Sequence, residues 1–163
     1  MNDALERIHQ QIMWDRLIAV VEEQGQTLMR AAFSTMVRES GDISAGIFDL
    51  KGRMMAQAVT GTPGHINTLA AAGEHFVEKF PPDSLVEGDI LITNDPWLSA
   101  GHFFDISVVT PVFRKGKVIA FFGSTIHHTD IGGYGVGAGA RDVHEEGLWI
   151  PRAKLYEAGE PNE

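Results

Sequence analysis

The sequence contains no cysteine. That excludes disulfides, thiolate metal sites and cysteine nucleophiles together, and it suits a reducing compartment. A cluster of Lys and Arg is also missing: 13 basic residues stand against 22 acidic ones, for a formal net charge of −9. Nucleic-acid recognition leans on concentrated positive charge, so no nucleic-acid partner is expected. No apolar run reaches about 18 residues, and the N-terminus opens on Asp3 and Glu6 without a basic-then-apolar signal pattern. The expectation is a cytoplasmic protein with no membrane partner. No Gly-x-Ser-x-Gly elbow surrounds Ser99, Ser107 or Ser124, which leaves serine-nucleophile catalysis without support. Five glycines fall between Gly132 and Gly139, but no strand, turn and helix flank them and no Gly-Lys-Ser/Thr occurs, so a nucleotide site there is rejected. Any metal must be held by His, Asp, Glu or water.

What remains is the composition of one globular domain over residues 1–163, 44% hydrophobic and 21% charged. Asp3 and Glu6 read as an N-cap and its capping-box partner. Leu5, Ile8, Ile12, Leu17, Val21 and Leu28 follow at helical spacing, predicting a long helix broken at Gly25 with a second segment over Gln26 to Arg38. Ser40-Gly41-Asp42 stops it, and Ile43 to Leu50 with Arg53 to Val59 reads as a hairpin. Pro63 suits a first helical turn, and the spacing predicts a second helix over His65 to Phe80. Asp89 to Thr93 is a short apolar strand. Leu148 to Pro151 is expected to be extended, and the chain then reaches Pro161-Asn162-Glu163 with no closing element, as though cut off. The predicted class is α+β: a long N-terminal helix and a second helix packed on antiparallel β-hairpins that form a mixed sheet.

Chemistry gathers between Asn94 and Gly133. Asp105 to Phe113 and Lys117 to Ile126 are rich in β-branched and aromatic residues and read as the arms of a hairpin. If Arg114-Lys115-Gly116 is a three-residue loop, residues 113 and 117 pair and Asp105 shares a face with His127. A two-residue turn at Lys115-Gly116 shifts the register by one and brings His128 there instead. His102 lies in a glycine-preceded bend three residues before Asp105. Two imidazoles and one carboxylate can therefore meet, leaving open coordination positions that suit Zn, Mn or Fe(II). Asn94 and Asp95 read as a turn or as support for a ligand. His65, Ser40, Asp42 and Asp49 read as caps or turns, Glu145 and Glu146 as a solvated face, and His9 as a solvated helix residue.

These residues carry a resemblance. Asn94-Asp95-Pro96-Trp97, Gly101-His102 with Asp105, Pro111-Val112-Phe113, His127-His128-x-Asp130-Ile131-Gly132-Gly133 and Glu146-Gly147-Leu148-x-Ile150-Pro151 resemble the hydantoinase B/oxoprolinase family. Ser40 to Ser44 and Phe48-Asp49-x-x-Gly52-Arg53 extend the match, so it covers nearly the whole chain as the N-terminal part of such a subunit. The resemblance implies a metal held by His102, Asp105 and His127, in agreement with the three-residue turn. Asp130 would orient water or a ligand, and His128 is a neighbouring catalytic candidate. It also implies a hetero-oligomer with a hydantoinase A-type subunit that uses ATP, opening a cyclic amide such as a hydantoin, N-methylhydantoin, 5-oxoproline or lactam. The alternatives are a subunit of a ketone carboxylase and a non-catalytic assembly module. Two motifs depart from the family pattern: Ser99-Ala100-Gly101-His102 stands where Gly-Gly-Thr-His is usual, and Val136-Gly137-Ala138 where Pro-Gly-Ser is.

Overall fold

A computed structural model describes residues 2–162. Helix α1 (Asn2–Ala31) runs unbroken through Gly25, contrary to the predicted break. Gly25 is buried where the helix crosses Ala45 and Ala58, and burial against the sheet outweighs the glycine cost of about 1 kcal/mol. The chain leaves the helix at residues 32–34 and re-enters it for one turn, α2 (Thr35–Arg38). Strands β1 (Ile43–Phe48) and β2 (Met54–Gln57) form the first hairpin, and α3 (Pro63–Lys79) begins on the proline that presets its first turn. Strand β3 (Ile90–Thr93) precedes the long hairpin of β4 (Asp105–Arg114) and β5 (Lys117–His127), and β6 (Ala153–Glu157) and β7 (Glu160–Pro161) follow.

The strands make one sheet in the order β2-β1-β5-β4-β3-β6-β7. The α+β class is as expected, with one difference: every ladder is antiparallel, so the sheet is not mixed. Short hairpin turns account for most of this, because only antiparallel neighbours can be joined by them. Helices cover both faces of the sheet. Val21 of α1 packs on Ala45, Ile47, Ala56, Ala58 and Ala120, while Leu69, Ala72 and Phe76 of α3 pack on Phe48, Leu91, Val109 and Phe121. Strand β1 is consequently buried at all of its positions, which explains its unalternating sequence. The β6–β7 hairpin pairs on β3 where no closing element was predicted. Its strands are short, polar and half-exposed, so they carry little hydrophobic pattern.

The turn between β4 and β5 has two residues, with Lys115 (φ 51°) and Gly116 (φ 72°) both left-handed and Arg114 paired to Lys117. By itself that turn would bring residue 126 opposite residue 105. The register changes once, between Val112 and Phe113, where Val112 pairs with Ala120 and Phe113 with Val118, leaving Ile119 as the extra residue of a bulge. The shift restores parity and sets Asp105 directly opposite His127.

Candidate metal centre

Asp105 is the first residue of β4 and His127 the last of β5, so the hairpin delivers both to one end of the sheet. The Asp105 Oδ1 to His127 Nδ1 distance is 2.9 Å. His102, in the bend just before β4, puts its Nε2 2.9 Å from Asp105 Oδ2. The ligand atoms of His102, Asp105 and His127 all lie within 4.8 Å of one another. Asp105 and His127 are buried, whereas His102 keeps a third of its side chain in solvent. One side of the cluster is thus open. Phe104, itself buried, stacks on His127 with ring centroids 5.7 Å apart and gives the site an apolar wall.

This set fits a divalent ion. Two donors each about 2.1 Å from one ion stand about 3 Å apart at right angles, which is the spacing at Asp105. Asp105 is also a buried carboxylate whose side-chain partners are all imidazoles, and a bound cation would offset the cost of burying its charge. A pair of imidazoles with one carboxylate suits Zn, Mn or Fe(II) better than Mg or Ca.

Two residues read from sequence as caps or turns belong here. His65, in the first turn of α3, places Nε2 3.0 Å from Asp105 Oδ2. Asp42, just before β1, lies 3.5 Å from His65 Nδ1 and 3.7 Å from His127 Nδ1, and Thr62 Oγ1 donates to it over 2.8 Å. Their partner is far away in sequence, and the only local sign is a histidine two residues after Pro63 at the helix start. Burial alone would push the Asp105 carboxyl up, but hydrogen bonds from His102 and His65 and their charges hold it well below the usual carboxylate range. The same bond to Asp105 raises His65 and His102, with burial opposing it in part.

Other residues support the frame. Two rungs along the hairpin, on the same face, is a buried hydroxyl ladder, Ser107 Oγ 2.7 Å from Thr125 Oγ1, with Ser99 Oγ at 2.5 Å on the other side. Asn94 is buried, and its amide donates to the Phe103 and Leu148 carbonyls, tying the loop that carries His102 to the 148–150 segment. The turn itself is made by Asp95, whose carboxylate accepts from Trp97 N–H. Glu146 is not simply solvated, since it accepts from Phe103 N–H over 2.8 Å and approaches His102 Nδ1 to 3.9 Å. Asp130 is exposed and accepts from Gly132 N–H. Neither it nor His128, also exposed, is among the groups gathered at Asp105.

Comparison with known proteins gives a consistent picture. The model of the family described as Hydantoinase B/oxoprolinase matches residues 6–163. The chain is 34% identical over 147 residues to 5-oxoprolinase 1 of Arabidopsis thaliana, covering 88% of this chain and 12% of that protein. It superposes on nucleotide-free acetone carboxylase with a TM-score of 0.82 and 25% identity, covering 96% of this chain and 21% of that one. For the ATP-dependent caprolactamase of Pseudomonas jessenii the TM-score is 0.67 and the identity 30%, over 93% of this chain and 27% of that one. The chain therefore spans well under a third of the length of each of these relatives.

Proposed function

The chain belongs to the hydantoinase B/oxoprolinase family, and from that premise we propose that it carries the metal centre of an ATP-dependent cyclic amidohydrolase. Its substrate is a hydantoin, 5-oxoproline or lactam, and its partner is a hydantoinase A-type subunit that uses the ATP. The observation that carries this reading is the convergence of His102, Asp105 and His127, with the Asp105 carboxylate and His127 buried. These three residues would hold Zn, Mn or Fe. When bound, such an ion polarises a carbonyl and lowers the pKa of water toward about 7.

The residues of this chain then have distinct tasks. Asp105, held anionic, is a ligand at neutral pH without first losing a proton. His65 donates to its outer oxygen and fixes its rotamer, and the nearby Asp42 charge favours the protonated form of His65. Phe104 keeps water from one side of His127. His128 and Asp130, on the exposed loop that leaves β5, orient water or move a proton once substrate is bound.

A second reading is supported by the TM-score of 0.82 to acetone carboxylase: the same centre would stabilise an enolate in an ATP-dependent ketone carboxylation. One experiment separates the two. The protein, reconstituted with its ATP-using partner, is given ATP with a hydantoin, 5-oxoproline or lactam, or with acetone and bicarbonate. Ring opening that requires both ATP and an intact His102 is the expected result. Carboxylation without ring opening would move the assignment to the second reading.

A further inference from the structure

The end of α1, the linker into α2 and the loop leaving β5 enclose a pocket of about 370 Å³ that shares His127 with the metal centre. That volume lies in the range of small-molecule sites. Its wall is mainly hydrocarbon, from Leu28, Ala31, Ala32, Phe33, Val37 and Ile126. Polar groups come from Ser34, His128 and Thr129 besides His127, and among the described residues no Asp, Glu, Lys or Arg lines it. Ser34 and His127 each hold a buried polar atom, Oγ and Nε2, with no hydrogen-bond partner. An apolar chamber joined to the metal centre through a shared ligand and containing unpaired polar atoms is built for a ligand.

We propose that this pocket receives the body of the substrate, and that the substrate is an uncharged carbonyl compound, a lactam or ketone without a carboxylate. The inference rests on the metal-centre reading above and narrows it. A carboxylate carried into this wall would lose its hydration and meet no cation, and burial of an unpaired charge is strongly disfavoured. The net charge of −9 adds to the repulsion of an anion. A neutral ring, by contrast, gains from contact with Leu28, Val37 and Ile126 and brings only a carbonyl and an N–H that need partners.

A matched pair of probes tests this. 2-Pyrrolidinone is the ring of 5-oxoproline without its carboxylate, and both are titrated into metal-loaded protein by ligand-observed NMR. The neutral ring should bind about tenfold or more tightly than the anion, the discrimination expected when a charge is buried unpaired. Ala31→Arg, at an exposed helix position, supplies the missing cation and should narrow or reverse the preference. Ala32→Trp fills the pocket and should abolish 2-pyrrolidinone binding. Equal or tighter binding of 5-oxoproline to the unsubstituted protein would overturn the proposal, as would a preference unchanged in both variants. Metal content measured on the same samples separates the two readings. Protein that takes up no metal overturns the metal centre, whereas metal-loaded protein without the neutral preference overturns the pocket assignment.

Discussion

Asp105 is the residue on which the account turns. One of its oxygens faces His127 and the other is shared by His102 and His65, so it is both a prospective ligand and the anchor of two imidazoles. Without metal, this arrangement makes stability depend on pH. His65 and His102 are raised in the folded protein, so their contribution is complete below the unfolded value of about 6.5 and is lost as pH rises through their folded values. Asp105 is depressed, so its contribution is present above about 3.9 and is lost as pH falls. Metal-free protein should therefore melt highest between about pH 4 and 6.5. His65→Asn should flatten the alkaline side of that profile and weaken metal binding by about 10- to 100-fold, the usual effect of losing a group that holds a ligand. Scanning calorimetry and metal titration check both. A His65→Asn protein with unchanged metal affinity would remove the positioning role. His65 was not legible as part of a site in the sequence, since the contact with Asp105 exists only once α3 lies over the sheet.

At the scale of elements, the β4–β5 hairpin shows how register decides chemistry. A two-residue turn at Lys115-Gly116 would by simple counting have favoured His128, yet the bulge at Ile119 returns His127 to the face of Asp105. The sequence made the arms legible through their β-branched and aromatic content. It did not reveal the bulge, whose extra residue, half-exposed Ile119, looks like any other strand residue. Inserting one residue between Ile119 and Ala120 should move every β5 residue beyond the bulge to the opposite face, taking His127 away from Asp105. The expected outcome is loss of metal binding in a protein that keeps its helical circular dichroism. Retained stoichiometry would mean that the register does not position the site. The second helix was read correctly because its signals are local: Pro63 at the start and Leu69, Phe76 and Phe80 at helical spacing. The β6–β7 hairpin was missed because its support is distant, Asp89 accepting from Ala158 N–H and pairing with Lys154 over 3.0 Å.

Across the whole molecule, the all-antiparallel sheet gathers residues from four separate segments, around Asp42, His65, His102 to Asp105 and His127, at one end. The last two were legible because a single hairpin joins them. The first two depend on how β1 and α3 pack, which no spacing encodes. The same packing leaves part of α1 unused: Leu5, Ile8 and Ile12, which belong to the helically spaced set, are about half-exposed, as are Met13 and Trp14 beside them. Exposed apolar surface of that extent suits contact with a further protein segment, in keeping with the proposed hetero-oligomer. No described helix is long and apolar enough to cross a membrane. The central claim is that His102, Asp105 and His127 bind one divalent ion. Anomalous scattering from crystals grown with Zn, Mn and Fe(II), recorded at each metal's edge, tests it directly. The account predicts a single strong peak about 2.0–2.2 Å from donor atoms of all three residues. No peak there with any of the three metals, or a peak ligated by other residues, would contradict it.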